Sequence, residues 1–234
     1  MSIDDNFKNT KGDIVHATIK STISAIPAVG GFLSEYFGLV VTSPAEKRKE
    51  NILVMLDQRL NELNNKIETF DIYSLSNNEA FLSVVLQAIN ISIRTHQIEK
   101  RAALLNAVSN SALTNSIDEN RQQMFLSFID SFNEWHLKIL FFLNDPKQNL
   151  QKAGHSIDLD KGSIGLVIFQ YYPQLSGELE FTKLIMSDLY NRGLISKDSS
   201  DLHTIMGGSG MVASRTSALG KQFIQFINTP DELS

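Results

Sequence analysis

Residues 178–216 read ELEFTKLIMSDLYNRGLISKDSSDLHTIMGGSGMVASRT, and the two halves of this stretch differ in kind. In 178–191, Phe181, Leu184, Ile185 and Leu189 recur at three- and four-residue steps, the period of one helix face. Arg192-Gly193 then supplies a stop, because glycine reaches the left-handed backbone that helix ends favour. Beyond it, 202–206 and 211–216 flank Gly207-Gly208-Ser209-Gly210, which predicts a glycine-tipped β-hairpin. Residues 216–227 return to helical spacing, with Leu219, Phe223 and Phe226 on one face. Upstream, 136–143 (HLKILFFL) is an apolar helix halted by Asn144-Asp145-Pro146, and a short helix near 164–172 ends at Pro173. Residues 131–228 therefore read as three helices, a hairpin and a closing helix.

Towards the other end the period stays helical. Ile52, Leu53, Leu56, Leu60, Leu63, Ile67 and Phe70 form the apolar stripe of an amphipathic helix of about six turns. Ser76-Asn77-Asn78-Glu79 fits a capping box, so a helix is expected to start there, with Phe81, Val84, Val85, Ala88 and Ile91 facing inward. A further helix over 98–113 presents Ile98, Leu105 and Val108. Ser116-Ile117-Asp118-Glu119 repeats the capping signature ahead of Met124, Phe125, Phe128 and Ile129. With no strand-like alternation up to residue 130, the expected class is mainly α: a helical bundle over 1–130, the second domain over 131–228, and a tail at 229–234.

The chain has 234 residues, 42% hydrophobic and 20% charged, an ordinary globular composition. Its 21 Lys and Arg against 26 Asp and Glu give a net charge of −5, so no broad field favours phosphate backbones or anionic lipid. Cysteine is absent, which removes disulfides, thiolate nucleophiles and cysteine zinc sites together. Asp4 and Asp5 stand where a secretory signal carries Lys or Arg, so a cytoplasmic location is expected.

Two segments resemble known patterns. Leu189-Tyr190-Asn191-Arg192-Gly193-Leu194-Ile195 resembles the end of the third helix of the winged helix-turn-helix superfamily, and Ser217-Ala218-Leu219-Gly220-Lys221-Gln222-Phe223 resembles the start of its closing helix, with Ser in place of Thr. The whole chain is similar to the bacterial Abi-alpha proteins of abortive infection, on Ile26-Pro27, Gly30-Gly31, Leu194-Ile195, Gly220 and Phe223. That resemblance implies an association with antiviral defence and no mechanism, since all these positions are structural in type.

On a DNA-reading third helix, Lys183, Asn191 and Arg192 would face nucleic acid, but Glu178, Glu180 and Asp188 share that helix. Residues 151–234 moreover carry a net charge of −2. Phosphate neutralisation supplies most non-specific affinity, so contact with protein is the expected use and DNA binding is disfavoured. Between Lys20 and Glu46 the sole charge is Glu35, a run long enough to cross a bilayer or to lie peripherally on the inner membrane, yet interrupted by Pro27 and several Ser and Thr. Gly30, Ser34 and Gly38 form a small-residue stripe suited to close helix approach in a soluble core, a self-associated pair or lipid. The five histidines are dispersed without ligand spacing, so no metal is expected. Asp158-Leu159-Asp160-Lys161-Gly162 starts like a calcium loop but lacks its closing Glu, and Gly207–Gly210 lacks the following helix of a phosphate cradle. No catalytic motif or cofactor fingerprint is present, and the expected role is non-enzymatic. Trp135, Tyr171 and Tyr172 fit either a partner surface or internal packing.

Overall fold

The computed structural model describes residues 44–113, 117–155 and 160–230. The apolar stretch 21–43 with Gly30, Ser34, Glu35 and Gly38, together with Ser116 and the Asp158-Leu159 start of the acidic loop, lies outside the described residues. What is described is mainly helical, with one small antiparallel two-stranded ladder. The chain divides into two compact units, Met1–Ser131 with Gln225–Ser234, and Phe132–Ile224.

In the first unit, α1 spans Pro44–Lys66, with Glu46 in its first turn and Lys66 in its last, each matching the helix dipole. Its stripe Ile52, Leu53, Leu56, Leu60 and Leu63 is buried. The expected continuation to Phe70 does not occur: the Phe70 amide closes on the Ile67 carbonyl at 3.1 Å, and Asp71 caps a 3-10 turn, Ile72–Asn77. Helix α2, Glu79–Arg94, follows with its whole expected face buried. Its cap is Asn78, which accepts from the Phe81 amide at 3.0 Å, and not Ser76. The 3-10 turn reaches Asn77 and draws the Ser76 hydroxyl back onto the Tyr73 carbonyl at 2.7 Å, so the first side chain free to accept at the helix start is Asn78.

Helix α3, Ile98–Leu113, packs against α1, α2 and α4 (Glu119–Ser131). Ala102, Ala103, Leu104, Leu105, Ala107 and Val108 are all buried, as a helix approached on several sides requires. Ile98, expected inward, is 48% exposed. Helix α4 is capped by Asp118, which accepts from the Arg121 amide at 3.2 Å, and buries Phe125, Leu126, Phe128 and Ile129. Within the same unit Asn106 and Asn110 donate to the carbonyls of Ile227 and Phe226 at 3.0 and 2.9 Å, satisfying acceptors that a helix end leaves open.

The second unit opens with α5, Glu134–Asn144, and α6, Pro146–Lys152, capped by Asp145 with Pro146 in its first turn. Strand β1, Lys161–Gly162, leads to α7, Ile164–Tyr171. Helix α8, Leu179–Asn191, follows. A 3-10 turn at Ser199–Leu202, strand β2 at Met206–Gly207, the single turn α9 at Gly208–Met211 and the closing helix α10 at Ala218–Ile227 follow, and α10 from Gln225 onward belongs to the first unit.

The expected hairpin of 202–206 with 211–216 is replaced by other pairings. Strand β2 pairs antiparallel with β1, Lys161 opposite Gly207 and Gly162 opposite Met206, and Ile195 makes one antiparallel bridge to Thr216. The glycine tip is drawn into α9. The cause is Arg215, which is 5% exposed. Its guanidinium bonds the Asp201 carboxylate, the Ala213 carbonyl at 2.7 Å and the Gly210 carbonyl at 3.1 Å. A buried cation needs every such partner, and together they fold 201–215 around it in place of an extended ribbon.

Candidate functional site

The two segments singled out in the sequence meet in the second unit. Helix α8 ends in a Schellman motif: Gly193, at φ +71°, donates to the Tyr190 carbonyl at 2.8 Å, and Leu194 donates to the Leu189 carbonyl at 2.9 Å. Leu189 and Leu194 are fully buried, the apolar contact that accompanies such an ending. Ser217 joins this corner to α10. Its hydroxyl donates to the Gly193 carbonyl and accepts from the Gly220 amide at 2.9 Å, and its own amide donates to the Leu194 carbonyl at 3.0 Å. Gly220 sits against that same carbonyl so closely that a Cβ there would lie 2.0 Å from the oxygen. Serine serves here because only its hydroxyl is used.

This corner fixes which face of α8 meets solvent. Thr182, Ile185, Met186 and Leu189 point inward. Thr182 can do so because its hydroxyl returns to the Glu178 carbonyl at 2.9 Å. Leu184, expected on the buried face, is 57% exposed, and Tyr190 is 44% exposed, because the stripe led by Ile185 and Leu189 turns both residues outward. Glu180, Lys183 and Asn191 lie on the same exposed side, so the outer face of α8 is mixed apolar and polar.

The three expected contact residues do not form a basic surface. Lys183 is paired with Glu180 at 2.8 Å. Arg192 lies beyond the helix with its guanidinium carbon 5.1 Å from the Phe132 ring centre, a cation–π arrangement. Asn191 is exposed at the last turn. Asp188 faces His136, whose Nε2 is 3.3 Å from its carboxylate. The His136 ring stacks on Phe132 at 4.6 Å, and its Nδ1 meets the Asn133 amide at 3.2 Å, closing a capping box at the start of α5. Sequence reasoning passed over Asn133, although an Asn directly ahead of an apolar run is a readable helix start. Asp201 and Arg215 carried no local signal, being brought together only by the fold.

The remaining candidates are occupied structurally. Trp135 meets Tyr172 edge-on at 5.5 Å, and Tyr171 meets Tyr172 and Phe142 at 4.7 and 4.8 Å. The Tyr172 hydroxyl donates to the Lys138 carbonyl at 3.0 Å, so the three aromatics pack on one another and on this unit while each stays half-exposed. Asp198 caps the 3-10 turn at Ser199–Leu202, and bonds from the Ser200 hydroxyl and amide hold its carboxyl below the ordinary range. Among the described residues no group of three or more His, Asp and Glu is placed to hold a metal ion, and no helix is long and apolar enough to cross a membrane. No protein-family model, no curated protein and no solved structure matches this chain.

Proposed function

We propose that this protein is a non-enzymatic interaction protein, a defence-type effector or sensor in the sense the Abi-alpha resemblance implies, whose second unit is a winged-helix-like module used to contact protein and not DNA. The observation that carries the reading is the outer face of α8. A groove-reading helix offers unpaired Arg, Lys, Asn or Gln to base edges and phosphates. This one offers Leu184 and Tyr190, with its lysine neutralised by Glu180 and Asp188 close by. Exposed leucine and tyrosine beside a few polar groups suit a protein partner, since aromatic and apolar anchors supply most of the energy at such interfaces.

The winged-helix character is supported by the order of α5, α7, α8, the Ile195–Thr216 bridge and α10, and by the union of the two resembling segments at Ser217. The proposal also includes helix association of the effector through Gly30, Ser34 and Gly38, as read from the sequence. The site's polar groups engage one another: His136 serves the α5 cap and Asp188, and Arg215 serves its own loop. This favours a binding role over a catalytic one.

Two measurements on the full chain test the proposal. Duplex DNA binding followed through a salt titration should show no tight complex at physiological salt; a submicromolar affinity falling steeply with salt would overturn the protein-contact reading. A photo-crosslinking residue at position 184 should give a discrete protein adduct in cells, while the same residue at the exposed position 147 on α6 should give none. Equal yields at both positions, or none at 184, count against α8 as the contact face.

A further inference from the structure

In the first unit the last turn of α3 meets the starts of α2 and α4 around a cavity of about 230 Å³. Asn78, Phe81, Ser111, Ile117, Glu119 and Gln122 stand in its wall. Sites for drug-sized ligands run to roughly 300 to 1,000 Å³, so this one suits a small group.

Gln122 is the wall residue whose hydrogen bonding is incomplete. It is 7% exposed, and its Nε2 donates to the Ile117 carbonyl at 2.7 Å. A carbonyl can take only the NH2 end of an amide, so that bond fixes which end is the oxygen. The Oε1 accepts no hydrogen bond among the described residues. Unlike the sealed Oε1 of Gln87, it stays accessible, in a side chain that lines the cavity. An acceptor held this deep in the protein calls for a donor.

Glu119 stands three residues before Gln122 on α4 and so shares its face. It is exposed, and its carboxylate has no ion pair or hydrogen bond among the described residues. The amides that two helix starts would offer an anion are already taken, that of Phe81 by Asn78 and that of Arg121 by Asp118. Capped amides and carboxylates at the rim disfavour an anion and favour a cation that donates.

We propose that this cavity takes a primary alkylammonium group, bonded to Gln122 Oε1 and the Glu119 carboxylate, with its stem against Phe81 and Ile117. An ammonium has three donors, no acceptor and one charge. The third donor can meet the Ser111 oxygen, whose own proton goes to the Val108 carbonyl at 2.8 Å. The group can come on a free small amine or on a lysine side chain, and the same chemistry serves both. The site does not involve the α8 surface.

The test is an amide NMR titration of the full chain with chloride salts at constant ionic strength. The probes are butylammonium, Nα-acetyl-lysine methylamide and tetramethylammonium. Butylammonium should give saturable shifts at the Gln122 side-chain amide and at the Phe81 and Ile117 amides; tetramethylammonium, a cation without N–H donors, should give none. Tighter binding of the lysine probe assigns the group to a lysine side chain, and equal or weaker binding assigns it to a free amine. Gln122→Met keeps the shape, removes the acceptor and should weaken butylammonium about tenfold. Glu119→Gln should weaken it about threefold, and its exposed position keeps the test intact if the first variant does not fold. Wild-type shifts that do not saturate, an equal response to tetramethylammonium, or variants that bind as tightly as wild type would overturn the proposal.

Discussion

Replacing Gly220 with alanine probes the corner that joins α8 to α10. Two effects oppose each other. Gly220 lies inside a helix, where alanine is intrinsically better by about 1 kcal/mol. Against this, the new methyl would stand 2.0 Å from the Leu194 carbonyl oxygen and 2.6 Å from Thr216 Cγ2, and the nearer obstacle is backbone that cannot rotate away. Pushing α10 off this seat costs about 1 to 3 kcal/mol in overpacking. It also weakens the Ser217 amide bond to Leu194, 3.0 Å long, for about 1 kcal/mol more. The steric term wins, and the net loss should be about 1 to 3 kcal/mol, a fall of about 2 to 12 °C in melting temperature for a chain of this size. Lys221→Ala, one residue on and exposed, is the control and should stay within about 0.5 kcal/mol of wild type. The assay is thermal unfolding followed by circular dichroism. A Gly220→Ala protein as stable as wild type, or more so, would show that α10 does not rest on the Leu194 backbone and that the reasoning fails.

Two further outcomes follow from the first unit. Asn78→Ala should cost about 1 kcal/mol in urea unfolding through loss of the α2 cap, while Ser76→Ala should change stability far less; the reverse order would return the cap to Ser76. Asp57 is buried, and burial raises its carboxyl above the ordinary value. The folded protein therefore holds this proton more tightly than the unfolded chain, and ionisation opposes folding above the carboxylate range. Asp57→Asn should accordingly melt higher than wild type at pH 7, with the gap closing as pH falls through that range, and equal melting temperatures at pH 7 would refute the assignment.

Some of this protein is written locally and was legible in its sequence. The α2 face from Phe81 to Ile91, the extent of α3, the stop at Asn144-Asp145-Pro146 and the left-handed Gly193 are each decided within a few residues, by side-chain period, by proline's clash with the preceding residue and by glycine's freedom at positive φ. The closing helix and its Phe223 and Phe226 belong to the same class.

What tertiary structure alone decided has a different cause. The sequence pattern around Gly207–Gly210 is that of a hairpin, yet the partner of Met206 and Gly207 is the distant pair Lys161 and Gly162. The burial of Arg215 among Asp201, Gly210 and Ala213 removed the local alternative. Leu184 shares its period with Phe181 and Ile185, and only the packing that buries Thr182 and Met186 turned it to solvent and so shaped the candidate contact face. Local steric and hydrogen-bonding preferences act over one turn of chain and are readable there. Strand partners, buried charges and the direction of a helix face depend on residues far apart in sequence, and only the folded chain brings them together.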